Sequence, residues 1–415
     1  MIGLEDVKAA ANAVYTVAYP TPCLHSFSLS ETFGAPVYLK AECLQHTGSF
    51  KVRGAANRIA RLTAAERARG VVAASAGNHA QGVAVGARAA GISAKVVMPK
   101  NATLAKVEAT RAYGGEVVLD GDDFSEAQAR ALEISKTEGR IVIPAFDDEA
   151  IIAGQGTIGL ELAQQCPEAG LVLVPVGGGG LIAGVATALK ALAPTVRVLG
   201  VQAAAAPAAA RSLAATKTVS VAPKPTIADG VAIARPGDLT MALIRRYVDD
   251  IVTVDEEAIA RAIVILLERA KLVTEGAGAL GVAAILSGAV KAAGRPAAVV
   301  LSGGNIDINV LATIVQHGLL HAGRYLTLTV GLDDRPGTLA ALLRLIADTG
   351  ANVLDVDHIR QGMHLPVRGV AVRLLLETRD HAHIEEIAAG LRASGYVETA
   401  TEPTARSYRP AAWEV

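Results

Sequence analysis

The 415-residue sequence predicts an α/β protein with two parallel-sheet subdomains and a small βαββαβ module near its C-terminal end. Three observations lead to this prediction. Short apolar segments of strand length alternate with amphipathic segments of helical period, which is typical of parallel sheets covered by helices. The composition is 51% hydrophobic but only 3% aromatic, which indicates a large aliphatic core. The pattern changes near residue 322, where polar and apolar residues begin to alternate.

The repeated alternation that predicts the first parallel sheet begins at residue 70, after an earlier strand at residues 37–40. Apolar runs predict strands at residues 37–40, 71–74, 95–98, 116–119 and 141–143. Helices are predicted between the later strands, at about residues 79–90, 103–113 and 125–138, because apolar residues recur there at helical spacing. This alternation indicates a small subdomain at about residues 49–145, inserted in a larger one.

A second series of elements begins near residue 154. Strands are predicted at residues 171–176, 196–201 and 297–301, with several helices between residues 238 and 290. The larger domain, which is expected to be the catalytic one, is therefore predicted to span residues 1–321. Residues 322–400 read as a ferredoxin-like βαββαβ unit, with strands at 325–330, 351–355 and 370–376 and helices at 338–349 and 383–394. Residues 401–415 contain Pro403 and Pro410 without periodicity, which predicts an irregular tail.

Composition excludes several classes of protein. A net charge of −1 and the absence of a basic run argue against a nucleic-acid partner. The apolar runs are too short to cross a membrane, and the N-terminal residues do not resemble a signal peptide, so we expect a cytoplasmic protein. Cys23, Cys43 and Cys166 are few and widely spaced, which favours reduced, structural cysteines.

Lys51 is the first candidate for catalysis. It follows a Thr-Gly-Ser turn and opens an amphipathic helix. The positive end of a helix dipole disfavours an ammonium ion, and a neutral amine is what Schiff-base chemistry needs. The buried face of this helix is predicted to carry Val52, Ala55, Ile59 and Leu62, and the outward face Arg53, Arg58 and Arg61.

Four polar or glycine-rich loops accompany this lysine. The turn 75–79, Ser-Ala-Gly-Asn-His, lies between a strand and a helix and suits a carboxylate, although such turns are often only structural. The tetraglycine 177–180 follows a strand and suits a phosphate rather than a dinucleotide, because no acidic residue follows at the ribose position. The Ser-Gly-Gly-Asn loop 302–305 follows the strand predicted at residues 297–301, the last one of the larger domain. Glu275 lies in a further glycine-rich segment.

The histidines do not indicate a metal site. His317 and His321 are four residues apart and would share a helix face, but no third ligand has suitable spacing, whereas a zinc site needs at least three. We therefore expect no metal there, and no Ser-His-Asp or Cys-His arrangement is evident.

In their order along the chain, these motifs resemble the fold-type II family of pyridoxal-phosphate enzymes, and most closely the threonine dehydratases (threonine ammonia-lyases). The resemblance covers about residues 10–320 and includes the segments 153–157 and 229–230. Residues 325–398 resemble an ACT domain, a small regulatory module that binds amino acids between paired copies.

The resemblance implies a role for each matching residue. Lys51 would bind the cofactor, pyridoxal 5'-phosphate, covalently and then act as the base at the substrate α-carbon. Ser302 would contact the pyridine nitrogen. The other cofactor-binding residues would be Phe50, Asn78, Gly177, Gly178, Gly179, Gly180, Leu181, Gly230 and Glu275. The substrate carboxylate would be held by Ser75, Gly77, Asn78 and His79.

The implied reaction is α,β-elimination of L-threonine, and of L-serine, to 2-oxobutanoate or pyruvate and ammonia. A neutral Ser302 makes the cofactor ring a weaker electron sink than an aspartate would, which favours prompt loss of the β-hydroxyl. Serine racemases carry a serine at the position of Ala76, and alanine cannot transfer a proton. A racemase, another fold-type II lyase and a catalytically weak amino-acid sensor remain the alternatives.

The resemblance also bears on metals, effectors and assembly. Relatives with a divalent-metal site use acidic residues after the strand that ends at Val201, but residues 202–208 offer no carboxylate, so we expect no metal. An amino-acid effector would lie near Asp334, Gly337 and Asn352. Pairing of ACT units predicts a homodimer or homotetramer. The effector, the preference for threonine or serine, and a role in isoleucine biosynthesis or in threonine breakdown stay open.

Overall fold

The computed structural model describes residues 2–360, 367–402 and 405–411. The chain divides into two compact units, residues 1–308 and 309–415. The division lies after the first residue of the helix Ile308–His321, whereas the sequence suggested a boundary at the end of that helix. The end of this helix is tied to the second unit, because the carbonyl of His321 accepts a hydrogen bond from Nε2 of His381 at 3.1 Å.

A six-stranded sheet forms the centre of the larger subdomain of the first unit. Its spatial order is β1-β2-β10-β7-β8-β9, and every neighbouring pair is parallel except β1 with β2. The strands are β1 (Cys23–His25), β2 (Val37–Lys40), β7 (Leu171–Pro175), β8 (Arg197–Ala203), β9 (Asp250–Val254) and β10 (Ala297–Val300). The apolar runs of the sequence predicted β2, β7, β8 and β10, whereas β1 and β9 were not predicted.

A four-stranded parallel sheet forms the smaller subdomain. Its order is β5-β4-β3-β6, with β3 (Val71–Ala74), β4 (Ala94–Met98), β5 (Glu116–Leu119) and β6 (Ile141–Val142). Strands β3 and β4 are almost wholly buried, as expected for parallel strands covered on both faces. All four strands were predicted.

Thirteen helices of the described residues surround these two sheets in the first unit. They are α1 (Leu4–Val14), α2 (Phe27–Phe33), α3 (Lys51–Ala60), α4 (Ala64–Arg69), α5 (Asn78–Ala89), α6 (Leu104–Ala112), α7 (Phe124–Glu138), α8 (Glu149–Gln165), α9 (Gly180–Leu192), α10 (Ala208–Ala214), α11 (Asp238–Tyr247), α12 (Glu256–Ile265) and α13 (Gly276–Leu286). Within the described part of the chain, no helix is both long and apolar enough to span a bilayer.

A buried ion network corrects one prediction about α3. Arg53 was expected to point outward, but its side chain is fully buried between two carboxylates. Its Nη2 lies 2.7 Å from Oε1 of Glu42, and its Nη1 lies 2.5 Å from Oε1 of Glu161 on α8. Lys40 on β2 is 2.5 Å from the other oxygen of Glu161. The two cations, Arg53 and Lys40, balance the charges of the two carboxylates, which makes their burial possible. Because these carboxylates lie outside α3, the spacing of residues within α3 could not reveal which arginine turns inward.

The cysteines also differ from expectation. Cys23 on β1 and Cys166 after α8 form a disulfide, whereas the sequence favoured reduced thiols. They are 143 positions apart in sequence, and only the placement of β1 and of the end of α8 brings them together. Cys43 is a free, buried thiol.

The second unit has the predicted βαββαβ order and one further strand. Its elements are α14 (Ile308–His321), β11 (Tyr325–Asp333), α15 (Thr338–Asp348), β12 (Asn352–Ile359), β13 (Gly369–Glu377), α16 (His381–Ala393), β14 (Tyr396–Glu402) and β15 (Ala405–Pro410). The sheet order is β12-β13-β11-β15-β14. Buried residues of β11 and β13 pack with Leu342 of α15 and Ile387 of α16 to form a separate core.

Strand β15 corrects the prediction of an irregular tail after residue 400. It pairs parallel to β11 and antiparallel to β14. Its inward residues are Arg406 and Tyr408, and Arg406 is paired with Glu385 of α16. Because these inward side chains are polar or aromatic, the segment lacks the apolar alternation by which strands are recognised. Residues 403–404 and 412–415 lie outside the described part.

Candidate active site

The candidate site is a cavity of about 330 Å³ in the first unit. It is lined by the loops that follow β3, β7 and β10, where ligands of parallel sheets are usually bound. All residues predicted to hold the cofactor or the substrate carboxylate line it: Phe50, Lys51, Ser75, Gly77, Asn78, His79, Gly177, Gly178, Gly179, Gly180, Leu181, Gly230, Glu275 and Ser302. The three effector candidates, Asp334, Gly337 and Asn352, belong to the second unit.

Lys51 is the first residue of α3, and its amine lies inside the cavity. Its Nζ donates a hydrogen bond to the carbonyl oxygen of Ala145 at 2.8 Å and lies 5.3 Å from the ring centre of Phe50. Burial lowers the pKa of Lys51 to about 8, although the carboxylate of Glu275 opposes this shift. About a tenth of such an amine is unprotonated at pH 7, far more than for an exposed lysine.

His79 is buried and neutral. Its Nε2 donates to the carbonyl oxygen of Ile143 at 2.9 Å. Burial, with the nearby charge of Lys51, lowers the pKa of His79 to about 3. The ring therefore carries no charge near neutral pH, and it supports the turn 75–79 at the start of α5 by packing and hydrogen bonding.

Asn78 and Glu275 form a polar pair on one wall. Nδ2 of Asn78 donates to Oε1 of Glu275 at 2.7 Å. Burial, followed by the negative charge of Asp229, raises the pKa of Glu275 to about 7. Glu275 therefore exchanges its proton near neutral pH. Its charge acts on Lys51 by raising the pKa of the amine.

The tetraglycine loop presents only backbone to the cavity. A Cβ atom on Gly178 would lie 2.3 Å from the ring of Phe146, and one on Gly179 would lie 2.9 Å from the side chain of Thr240. Gly179 also has a φ of +96°, which L side chains rarely adopt. The loop ends at the N-terminus of α9, a helix of 13 residues. Exposed amides at a helix N-terminus fit a phosphate dianion.

Ser302 also lines the cavity. It is 3% exposed and follows β10, and its carbonyl oxygen accepts a hydrogen bond from the Phe50 amide at 3.1 Å. The contact joins the loop after β10 to the start of α3. The Ser302 hydroxyl and the Lys51 amine are thereby held in one cavity.

Several lining residues were not predicted as members of the site, among them Phe146, Lys106 and Asp229. Phe146 follows β6 and forms the wall behind the glycines. Lys106 on α6 forms an ion pair with Asp229 at 2.9 Å, and the two residues come from different subdomains. The signal for Phe146 was its place just beyond a strand end, whereas the Lys106–Asp229 pair joins residues 123 positions apart and left no local signal.

Comparisons with known proteins identify the family of the chain. Residues 14–303 match the family model described as "Pyridoxal-phosphate dependent enzyme". The L-threonine ammonia-lyase of Thermotoga maritima is 49% identical over 396 residues, which cover 95% of this chain and 98% of that protein. A structure of threonine deaminase isoform 2 from Solanum lycopersicum is 39% identical with a TM-score of 0.72, covering 75% of this chain and 91% of that one. Maize serine racemase is 35% identical with a TM-score of 0.72, covering 77% and 98%.

Proposed function

Because the chain belongs to the pyridoxal-phosphate dependent enzymes and, within them, to the L-threonine ammonia-lyases, we propose that it eliminates water from L-threonine and L-serine to give an enamine, whose hydrolysis takes up water again and releases ammonia. The products are 2-oxobutanoate or pyruvate and ammonia, because water hydrolyses the released enamine. The observation that carries this proposal is the meeting of a low-pKa amine, a glycine phosphate cradle and a buried serine in one cavity.

The residues of the cavity fit pyridoxal 5'-phosphate. The backbone of residues 177–181 would hold the phosphate. Gly230 lies next to this loop, since a Cβ atom on Gly177 would lie 3.4 Å from its carbonyl oxygen. Ser302 would meet the pyridine nitrogen, Asn78 the ring oxygen, and Phe50 the ring itself. Lys51 would supply the amine, with Glu275 beside Asn78.

The substrate carboxylate would be bound at the start of α5. Ser75, Gly77 and Asn78 line the cavity next to the N-terminus of this 12-residue helix, where backbone amides favour an anion. The neutral ring of His79 lies against Ile143 and keeps the turn in place. A carboxylate bound here would share the cavity with the amine of Lys51.

Lys51 moves the proton. Bound pyridoxal phosphate withdraws electrons from the α-carbon of the substrate amine, which makes the α-proton acidic. The amine of Lys51 takes that proton in its neutral form, and a pKa of about 8 makes this form accessible at working pH. The nearby carboxylate of Glu275 and the carbonyl of Ala145 stabilise the resulting ammonium.

The experiment is 2-oxobutanoate release from L-threonine by the purified, cofactor-loaded protein. We expect release by the wild type and a loss of about 10³-fold or more in Lys51→Ala, because both base and covalent attachment are removed. Lys100→Ala, an exposed lysine, is the matched control. A cofactor-bearing wild type that leaves both threonine and serine unchanged would exclude the proposal.

A serine racemase is the second candidate, favoured by the likeness to the maize enzyme. Racemisation needs a proton donor on the face of the α-carbon opposite the lysine. Ala76 lines the cavity, and its methyl group cannot donate. Chiral analysis of residual serine distinguishes the two, because D-serine accumulates only with a racemase. A protein that binds no cofactor would instead support the amino-acid sensor.

The second unit is proposed to be an ACT domain that binds an amino-acid effector. Gly337, with a φ of +92°, is the N-cap residue of α15, and Asp334 in the preceding turn accepts a hydrogen bond from Arg360 at 2.8 Å. Asn352 begins β12 and donates to Glu377 at 3.2 Å. The Asp334 carboxylate suits the ammonium end of an amino acid, and the N-terminus of α15 suits its carboxylate. Adding each amino acid while following elimination tests this, and Asn352→Ala should weaken the response.

We also propose that the protein is a cytoplasmic homodimer or homotetramer. β12 lies at the edge of its sheet and exposes Leu354 and Val356, which are 43% and 42% exposed. An edge strand with apolar residues is suited to pairing with a second copy. Sedimentation should show at least a dimer, and Leu354→Lys should weaken it.

A further inference from the structure

Asn305 ends the loop after β10, and neither the sequence nor the proposed reaction assigns it a role. Its Nδ2 lies 2.8 Å from the carbonyl oxygen of Thr47 and 2.7 Å from Oδ1 of Asn78. A longer contact of 3.3 Å joins it to Oε1 of Gln81. The two short contacts use both N–H groups of the amide.

These contacts determine which way two amides face. A backbone carbonyl can only accept, so the Asn305 atom beside Thr47 must be nitrogen. That nitrogen needs an acceptor on its other side, so the atom of Asn78 facing it must be Oδ1. Nδ2 of Asn78 then gives one N–H to Glu275 and keeps its second N–H for another acceptor.

Two glycines leave room for this arrangement. Gly48 has a φ of +68°, and a Cβ atom there would lie 2.3 Å from Oδ1 of Asn305. A Cβ atom on Gly303 would lie 2.5 Å from Oε1 of Glu275 and 3.2 Å from Nδ2 of Asn78. The Thr-Gly-Ser turn before Lys51 and the Gly-Gly pair after Ser302 therefore both enclose the same chain of amides.

We propose that Asn305 is a positioning residue that, through Asn78, keeps an N–H donor directed at the ring oxygen of bound pyridoxal phosphate. Asn78 lines the cavity, so its remaining N–H is available to a ligand. If the Asn78 amide turned by 180°, its carbonyl oxygen would face the ring oxygen, and two acceptors repel each other. This inference rests on the proposed cofactor site and adds the residue that fixes the direction of its donor.

The experiment compares three variants in cofactor binding, without using threonine. Asn305→Asp keeps the shape but replaces the donor by a second acceptor, which opposes both Thr47 and Asn78. Asn305→Ala removes the group. We expect the dissociation constant for pyridoxal phosphate to rise about tenfold in the alanine variant and further in the aspartate variant, as for loss of a hydrogen bond to a charged group. The pH midpoint of the cofactor absorbance change should rise by about one unit, because the donor favours the ionised ring oxygen.

Asn57→Asp is the matched control. Asn57 lies on α3, is 2% exposed, and donates to the carbonyl oxygen of Ala150 at 2.6 Å without lining the cavity. It should lower the melting temperature and leave both cofactor measurements unchanged. If Asn305 had only a structural role, the aspartate variant, which conserves the shape, would lose less cofactor affinity than the alanine variant. This order of affinities would overturn the inference.

The outcomes separate this inference from the proposed function. Wild-type cofactor affinity and absorbance in both Asn305 variants would overturn the inference and leave the elimination untouched. A wild type that binds the cofactor but releases no 2-oxo acid would overturn the elimination alone. If the aspartate variant does not fold, the alanine variant decides, since an unchanged dissociation constant contradicts the role of Asn305.

Discussion

The pKa of Lys51 predicts how the protein takes up its cofactor. The neutral amine attacks the aldehyde of pyridoxal phosphate, and burial places the pKa of this amine at about 8. The rate of uptake by the apoprotein should therefore rise about tenfold per pH unit below pH 8 and level off above it. Stopped-flow absorbance on mixing apoprotein with cofactor measures this rate. A rate that still rises steeply between pH 9 and pH 10 would contradict a lowered pKa.

For single residues, the sequence predicted which side chains line the same cavity, but not how they interact. The motifs placed Lys51, Asn78 and Ser302 in one site because each follows the end of a strand or opens a helix. The burial of Arg53 was missed because its partners, Glu42 and Glu161, lie on other elements. The acceptors that orient Asn305 are likewise distant in sequence, so the motif revealed the residue without its function.

Among the elements, the turn from β7 to α9 predicts a specific loss of phosphate binding. In Gly178→Ala the added methyl group meets the ring of Phe146 and must move the loop amides. We expect cofactor affinity to fall about tenfold or more, as for the loss of one or two hydrogen bonds to an anion. Absorbance titration of the apoprotein measures it. Gly390→Ala in α16 is the control, because its Cβ atom meets only Leu345 at an ordinary 3.5 Å, and its affinity should equal that of the wild type.

The ion network joins β2, α3 and α8, and it predicts a large effect on stability. In Glu161→Gln, Lys40 loses its carboxylate partner while remaining fully buried. Breaking such a pair costs about 3–5 kcal/mol of unfolding free energy. Urea unfolding of the apoprotein measures this cost. Glu5→Gln breaks only an exposed pair with Lys8 and should change the free energy by less than about 0.5 kcal/mol. Equal effects of the two substitutions would show that the network is not a major source of stability.

Elements with a strong apolar pattern were predicted, and elements that depend on their neighbours were not. The strands β3, β4 and β7 are almost wholly buried and carry continuous apolar residues. β9 lies at a sheet edge and buries only Ile251 and Val254 of its five residues, so its sequence differs little from that of a loop. The backbone pairing with β8 stabilises β9 as a strand, although its apolar pattern is weak.

For the whole molecule, the separation into two units predicts that elimination does not require the second one. Every cavity-lining residue lies between positions 50 and 302, within the first unit. The maize chain matched over 98% of its length corresponds to 77% of this one. A chain ending after His321, which keeps α14 whole, should retain the elimination rate and lose any response to amino-acid effectors. Steady-state kinetics with and without effector test this, and loss of activity despite bound cofactor would contradict it.

The position of β15 has a consequence for how the protein is made. This strand lies between β11 and β14, although it is the last strand among the described residues. The strands of the first unit are complete once β10 has been synthesised, whereas the second sheet cannot close until residues 405–410 exist. At about 5–20 residues per second, translation of residues 309–415 takes on the order of ten seconds. During that interval the cavity-lining residues of the first unit all exist, while the second sheet still lacks an interior strand, so the residues that react are made before the unit proposed to bind an effector.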